Sequence, residues 1–374
     1  MKLLLGEALW SPDAGFLLPR SGAAAVVDEE GRAIAWGSAD ELRQAHADLP
    51  VEAGEGVLMP GLVDCHAHLE IAALAGRVPA GLGLARWVQG LMAALPTVPA
   101  EEIHAAALRA ARTMRELGTV AVADVCTHLA TAPILREAGL RGVSLLEVVG
   151  AGESSGAAAL ERARGRLGTH PPGGGVEVEI VPHSAYGTSP EVLRALAGNG
   201  EGVRSIHAAE HEDEVRWLVL GEGAFAEFLR PKGAPIPGER PVPYLKRLGA
   251  LGRRTLLVHL VLATEEELAA ARAAGATAVL CPRSNLHIGG RLPDLHAIRR
   301  AGIPWTLGTD SLVSTPDHDL LGEVRTLAEA FPDVPLGELL RAATTDGAAA
   351  LGIDAHPWVR IPFERFPGGK EAFA

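Results

Sequence analysis

The chain has 374 residues, of which 34 are Lys or Arg and 46 are Asp or Glu, so its formal net charge is −12. This acidic balance, without a basic cluster, argues against nucleic acids and anionic membranes as partners, because neutralising phosphates requires Lys and Arg. At roughly 150 residues per domain, the length allows two or three domains, or one barrel of about 250 residues with an appended piece. We expect a globular protein whose partner is a small molecule.

The N-terminus and the cysteine content bear on where the protein works. The apolar run in MKLLLGEALW ends at Gly6, which is too short for a signal peptide or a membrane-spanning helix. The cysteines Cys65, Cys126 and Cys281 are too few and too scattered for a disulfide framework. We therefore expect a cytoplasmic protein.

Residues 1–54 predict a small β domain at the start of the chain. The segment AAAVVDEEGRAIAWG, residues 23–37, is typical of two strands around an Asp-Glu-Glu-Gly turn. The tail, residues 351–374, is irregular and rich in Pro and Phe, and it is a candidate to complete the same domain.

The remaining segment, residues 55–350, alternates short β-branched runs with longer stretches of helical spacing. Helical patterns occupy residues 101–117, 263–275 and 293–302, and most of the helical stretches are closed by a glycine. Eight β units with intervening helices predict an α/β protein, a (β/α)8 barrel. The predicted strands cover residues 57–68, 119–126, 142–150, 176–184, 203–210, 255–261, 277–283 and 303–311.

Residue types that bind metals stand at the ends of four of these predicted strands. His66 and His68 are two apart in one strand, so both imidazoles lie on the same face. His207, His259 and Asp310 end the fifth, sixth and eighth strands. Because the C-terminal strand ends of a barrel meet at the active site, we expect one zinc or ferrous ion with a position open for water, zinc being preferred. The alternative is a set of buried histidines that only satisfy structural hydrogen bonds.

These motifs resemble the amidohydrolase superfamily. The resemblance is carried by PGLVDCHAH at residues 60–68, the HxxE of His207 to Glu210, the isolated His259 and the GTDS around Asp310. Two-metal members of the superfamily bridge their ions with a lysine or glutamate after the fourth strand, where this sequence has His183. The resemblance therefore implies one metal ion and the branch that deaminates or dechlorinates nitrogen heterocycles.

Longer segments are similar to one group within that branch, the aminofutalosine deaminases, which act on an adenine nucleoside in a route to menaquinone. Deaminases of methylthioadenosine and adenosylhomocysteine, and those of guanine and cytosine, remain alternatives, as do chlorohydrolases and a noncatalytic barrel that binds ligands. The tail keeps only Gly369-Lys370 of the pattern usual for the family, which implies a truncated small domain. The similar segments are residues 66–92, 181–193, 208–229 and 281–290.

The resemblance also implies roles for single residues. It assigns the metal to His66, His68, His207 and Asp310, with Asp310 also taking a proton, and it makes His259 a partner of the catalytic water. Hydrolytic loss of an aromatic amine needs a proton carrier between water and ring, and Glu210, three residues beyond His207, is placed to serve.

Four further residues are candidates for substrate contact. His183 resembles a substrate-binding histidine of this branch, although a structural hydrogen bond in its turn is the alternative. Glu70 could hold sugar hydroxyls or cap a helix, and Arg283 could bind an anionic group or stabilise a loop. Trp87 lies in an apolar helical stretch that is a candidate lid or subunit interface, and we expect a homo-oligomer. Arg77 and Arg86 join Arg283 as candidates for binding a substrate carboxylate.

Overall fold

The computed structural model describes residues 1–18, 20–168, 171–197, 202–353 and 357–373. Its first segment folds into short strands, as the turn at residues 28–31 predicts. Strands β4 and β5 flank that turn and pair antiparallel. The strands of this segment are β1 (Lys2–Gly6), β2 (Ala8–Ser11), β3 (Gly15–Leu17), β4 (Ala23–Val27), β5 (Ala33–Ser38), β6 (Val51–Ala53) and β7 (Val57–Pro60).

The barrel prediction is confirmed. Two four-stranded parallel sheets run in chain order, β8 to β11 and β12 to β15. They meet at two seams, where Ser184 bridges His207 and Ala67 bridges Asp310 in parallel register. The strands are β8 (Leu62–Ala67), β9 (Thr119–Cys126), β10 (Arg141–Val148), β11 (Val176–Pro182), β12 (Arg204–Ala208), β13 (Thr255–His259), β14 (Thr277–Leu280) and β15 (Trp305–Leu307).

Helices connect the barrel strands, and their ends carry the expected signals. At the start of α10, the Glu267 N–H donates to Thr264 Oγ1, and the Glu267 carboxylate accepts the Thr264 N–H. The helix is capped at its C-terminus by Gly275, which has a φ of 82°. The α-helices are α1 (Ala39–Ala45), α2 (Leu84–Ala94), α3 (Ala100–Glu116), α4 (Ala132–Glu137), α5 (Glu153–Leu167), α6 (Pro190–Leu196), α7 (Glu212–Leu220), α8 (Ala224–Leu229), α9 (Pro241–Arg247), α10 (Glu265–Ala274), α11 (Pro282–Gly289), α12 (Leu295–Ala301), α13 (Leu320–Ala330), α14 (Leu336–Ala342) and α15 (Thr345–Leu351). Short 3-10 helices span Leu69–Leu74, Leu95–Thr97, Arg230–Lys232, Phe363–Arg365 and Gly369–Phe373.

The run predicted as one strand at residues 57–68 is two strands that serve different sheets. β7 pairs with β2, and it also pairs antiparallel with β16 (Trp358–Ile361) of the tail. After Gly61 the chain enters β8 of the barrel. Gly61 is required at this junction because a Cβ there would lie 2.5 Å from the Val120 side chain. The division into residues 1–54, 55–350 and 351–374 remains a prediction, and β7 lies with the small sheets.

The apolar core lies both inside the barrel and between its strands and helices. Val63, Val120, Val143 and Val258 are fully or almost fully buried in one cluster of the barrel. Among the described residues, no helix combines the length and the apolar content needed to cross a membrane.

Candidate metal centre and active site

Four of the side chains expected to bind metal converge at the C-terminal ends of the barrel strands. The Nε2 atoms of His66 and His68 are 3.1 Å apart, and Asp310 Oδ1 lies 3.7 and 3.6 Å from them. One ring nitrogen each of His66, His68 and His207 can be chosen so that all lie within 4.8 Å. Neighbouring ligands of one divalent ion, with bonds of about 2.1 Å, lie roughly 3 to 3.6 Å apart, so these separations suit the binding of one divalent ion.

Hydrogen bonds orient these ligands. The Nδ1–H of His207 donates to the His183 carbonyl oxygen at 2.9 Å, which leaves its Nε2 lone pair for a metal. Ser284 Oγ donates to Asp310 Oδ2 at 2.5 Å, so Oδ1 is the oxygen turned toward His66 and His68. These bonds leave His207 Nε2 and Asp310 Oδ1 free to bind an ion.

Burial keeps the imidazoles of the centre neutral. It lowers the pKa of His68 and of His207 to about 4, and it lowers the pKa of His66 well below its usual value, with neighbouring histidines adding to the effect there. Neutral imidazoles have the lone pair that metal coordination requires. The close approach of His66 to Asp310 is therefore not that of a charged pair, and it suits two groups that would share one ion.

Glu210 and His259 lie beside the metal ligands as a buried pair. Glu210 Oε2 is 3.7 Å from His259 Nε2, and both residues are buried. Burial, with the charges of Asp310 and Glu214, raises the pKa of the Glu210 carboxyl well above its usual value. A carboxyl with a raised pKa can hold a proton at neutral pH and pass it on.

The backbone at this end of the barrel is strained. Ala209, His259, Leu260 and Asp310 have φ angles of 52°, 78°, 52° and 60°, in the left-handed region that favours glycine. Such conformations cluster at functional sites, where the surrounding structure holds them. Two of the four are residues that the motifs single out for chemistry.

Glu70, in the 3-10 helix Leu69–Leu74, supports the loop after β9 rather than contacting a substrate. Its carboxylate accepts the backbone N–H groups of Thr127, His128 and Leu129 at 2.6, 2.8 and 2.9 Å. Both carboxylate oxygens accept hydrogen bonds from this loop. Glu70 therefore supports the loop, and the predicted contact with sugar hydroxyls of the substrate is not found.

Arg283 is likewise occupied by protein groups. Its Nε donates to Glu323 at 2.6 Å and its Nη1 to Asp317 at 2.7 Å, while Nη2 donates to the carbonyl oxygens of Asp317 and Asp319. The guanidinium therefore anchors the loop before α13, and it is not the carboxylate receptor that the sequence allowed.

His183 and Trp87 remain candidates for substrate contact. The His183 ring lies 4.9 Å from the ring of His207, and its Nδ1 hydrogen-bonds Ser184 Oγ at 2.7 Å. Trp87 on α2 is buried, and its indole N–H has no hydrogen-bond partner among the described residues. An unsatisfied buried donor is a group that a ligand can engage.

The other two arginines differ in their surroundings. Arg77 forms an exposed ion pair with Glu102 at 3.1 Å. Arg86 is exposed on α2, next to Trp87. Because Arg77 is already paired, Arg86 is the stronger candidate of the two for binding an anionic group.

Two buried residues at this end of the barrel were missed by sequence reasoning. Glu147 is the penultimate residue of β10, and its Oε1 lies 3.8 Å from His207 Nδ1; burial raises the pKa of its carboxyl to about 8. A charged residue at the end of a buried strand was the signal. His318 is buried and hydrogen-bonds Thr309 Oγ1 at 2.9 Å, within the segment that joins β15 to α13. No motif in the sequence marked this histidine.

A barrel with imidazoles and a carboxylate converging at its strand ends is the architecture of a metal-dependent hydrolase. Residues 57–356 match the model of the amidohydrolase family, and the chain belongs to that family. The expected resemblance is thus confirmed.

The chain is similar to deaminases over most of its length. It is 30% identical to the aminodeoxyfutalosine deaminase of Deinococcus radiodurans, with 94% of this chain and 86% of the relative covered. It is 29% identical to the 5-methylthioadenosine/S-adenosylhomocysteine deaminase of Halobacterium salinarum, with 82% and 72% covered. The family and these relatives confirm the prediction of a hydrolytic deaminase.

Solved structures show the same fold. The aminofutalosine deaminase of Helicobacter pylori in complex with methylthio-coformycin aligns with a TM-score of 0.82 at 21% identity, covering 96% of this chain and 89% of that chain. The atrazine chlorohydrolase of Arthrobacter aurescens complexed with zinc aligns with a TM-score of 0.75 at 22% identity, covering 95% and 83%.

Proposed function

We propose that this chain deaminates the adenine ring of a nucleoside with one divalent ion, zinc in preference to iron, held by His66, His68, His207 and Asp310. The observation that carries the proposal is the buried Glu210 and His259 pair, 3.7 Å apart, beside those four groups. A purely structural metal site has no need of a proton carrier with a raised pKa.

The reaction replaces the amino group of the purine with an oxygen from water and releases ammonia. A divalent ion supplies the acidity, since binding lowers the pKa of water from 15.7 to about 7. Glu210 takes a proton from the water and delivers it to the ring nitrogen beside the attacked carbon. His259 donates a hydrogen bond to the oxygen that attacks. Asp310 receives the second water proton, which leaves with the amino group as the carbon–nitrogen bond breaks.

The proposed substrate is aminofutalosine, in menaquinone biosynthesis. The relative at 30% identity carries that activity in its name, and the fold aligns over 96% of this chain with another enzyme so named. Methylthioadenosine or adenosylhomocysteine is the second candidate, favoured by the relative at 29% identity. The substrates differ at a benzoate carboxylate, for which we propose Arg86 as the partner.

A selectivity measurement tests this choice. We expect aminofutalosine to exceed adenosine and methylthioadenosine in kcat/KM, and Arg86→Ala to reduce that preference about two- to fivefold, the effect of an exposed charge pair. Arg77→Ala is the matched control, since its guanidinium is already paired with Glu102. Equal turnover of adenosine by the unmodified chain would overturn the substrate and leave the deaminase proposal standing.

A further inference from the structure

We propose that Asn285 is a positioning residue that fixes which nitrogen of His259 carries the proton, an inference that rests on the proposed function. Asn285 lies in the first turn of α11, directly after β14. Its side-chain Nδ2 is 3.0 Å from His259 Nδ1, and both residues are buried. The carboxamide nitrogen can only donate, so His259 Nδ1 has to accept and the proton has to sit on Nε2.

The opposite side of the His259 ring supports the same tautomer. Nε2 lies 3.7 Å from Glu210 Oε2, so a proton on Nε2 faces a carboxyl oxygen that can accept it. A proton on Nε2 therefore suits both neighbours of the ring.

Asn285 is itself held in place. Its backbone N–H donates to the Cys281 carbonyl oxygen at 3.0 Å, in the turn that begins α11. The next strand over supplies His259 at a strained position, with φ of 78°. The Asn285 amide, fixed in this turn, therefore meets the His259 ring at its Nδ1 edge.

The tautomer decides what His259 can do. A protonated Nε2 donates a hydrogen bond to the attacking oxygen, and it has no lone pair with which to bind a metal. By holding the proton on Nε2, Asn285 makes His259 a hydrogen-bond donor. This role differs from the metal-binding role proposed for His66, His68 and His207. The histidine of the sixth strand is a donor because of a residue 26 positions further along the chain.

Two replacements of Asn285 distinguish this role from simple packing. Asn285→Asp keeps the shape but accepts from Nδ1–H, which moves the proton off Nε2, whereas Asn285→Ala only removes the bond. We expect the aspartate variant to lose at least about 10²-fold in kcat and no less than the alanine variant, as wrong-tautomer changes at a catalytic histidine do. KM and the metal content should stay near those of the unmodified enzyme. Arg291→Ala, exposed just beyond α11, is the control.

A packing role predicts the reverse order, because aspartate preserves the shape that alanine removes. An aspartate variant more active than the alanine variant would therefore overturn the proposal. The tautomer can also be read without any variant, from the ¹⁵N resonances of histidine-labelled enzyme loaded with zinc. We expect the proton of His259 on Nε2, and a proton on Nδ1 would contradict the inference. If the unmodified chain showed no deaminase activity at all, that result would instead count against the proposed function.

Discussion

Glu210 is the residue whose chemistry is easiest to separate from its shape. Glu210→Gln keeps the side-chain volume and leaves the four metal ligands in place, but it cannot carry a proton from water to the ring. General acid–base steps contribute about 10²- to 10⁴-fold, so kcat should fall by that factor. Metal content measured on the same sample should remain near one ion per chain. A variant that kept more than a tenth of the activity would show that another group carries the proton.

Glu214, directly behind Glu210, makes stability depend on pH. Its Oε2 accepts the Glu210 N–H at 2.9 Å, its other oxygen is buried without a partner among the described residues, and burial raises its pKa to about 8. A raised carboxyl pKa favours folding below the unfolded value of 4.5, and that contribution is lost as the pH rises through 8.

Glu214→Gln cannot ionise and should escape this loss. As the pH rises from 5 to 8, the free energy of unfolding of this variant should increase relative to that of the unmodified chain, by up to about 1.4 kcal/mol per pH unit. Urea denaturation at several pH values measures the difference, with the exposed Glu222→Gln as control. Parallel stability curves would show that Glu214 is not protonated in the fold.

The convergence of the four candidate metal-binding side chains could be predicted from the sequence, whereas the hydrogen-bond partners of Glu70 and Arg283 could not. Parallel strand ends meet at one edge of a barrel, so His66 and Asp310 converge whatever the loops do. Glu70 and Arg283 depend on loops that pack from elsewhere, residues 127–129 and residues 317–323. The hydrogen bonds of Glu70 and Arg283 join residues 34 to 59 positions apart in the chain, so a local sequence pattern does not predict them.

Helix α2 is the candidate lid of the site, and a residue of another helix caps its N-terminus. Asp213 Oδ2 in α7 accepts the Ala85 N–H at 3.1 Å, in the first turn of α2. A hydrogen bond with His211 holds the pKa of Asp213 below its usual value, so the carboxylate is charged where the helix dipole favours an anion.

Asp213→Ala should loosen α2 without touching the metal centre. Loss of a cap costs about 0.5–2 kcal/mol, which raises local opening by roughly two- to thirtyfold. Amide hydrogen exchange across residues 84–94 should accelerate accordingly, and KM should rise. Glu212→Ala, its exposed neighbour, is the matched control. Unchanged exchange in α2 would remove Asp213 as its anchor.

The strand pattern of the barrel was predictable because buried β-branched runs alternate with helical spacing. The division of residues 57–68 into β7 and β8 was not predicted, although Pro60-Gly61 marks it, because only the strand partners show that the two parts serve different sheets. β7 finds its partner β16 some three hundred residues later in the chain. Pairing at such separation leaves no trace in local periodicity.

At the scale of the whole molecule, the tail and the barrel form one packed body. Ile361, Phe363 and Phe366 of the tail are buried in the same cluster as residues of the barrel helices. Arg365 donates to the Leu117 carbonyl oxygen at 2.7 Å and to Asp319 at 2.5 Å. The short tail therefore covers the barrel and supplies a strand to the small sheet. Cytoplasmic location, the absence of nucleic-acid partners and a homo-oligomeric state remain predictions.

The most direct test of the account combines a metal count with an assay of deamination. The purified chain, stripped by a chelator and titrated with zinc, is given aminofutalosine, methylthioadenosine and adenosine while absorbance and released ammonia are followed. We predict that activity rises to a plateau at one ion per chain, and that each adenine lost yields one ammonia and one oxopurine. A zinc-loaded chain that deaminated none of these nucleosides, or that needed two ions per chain, would contradict the account.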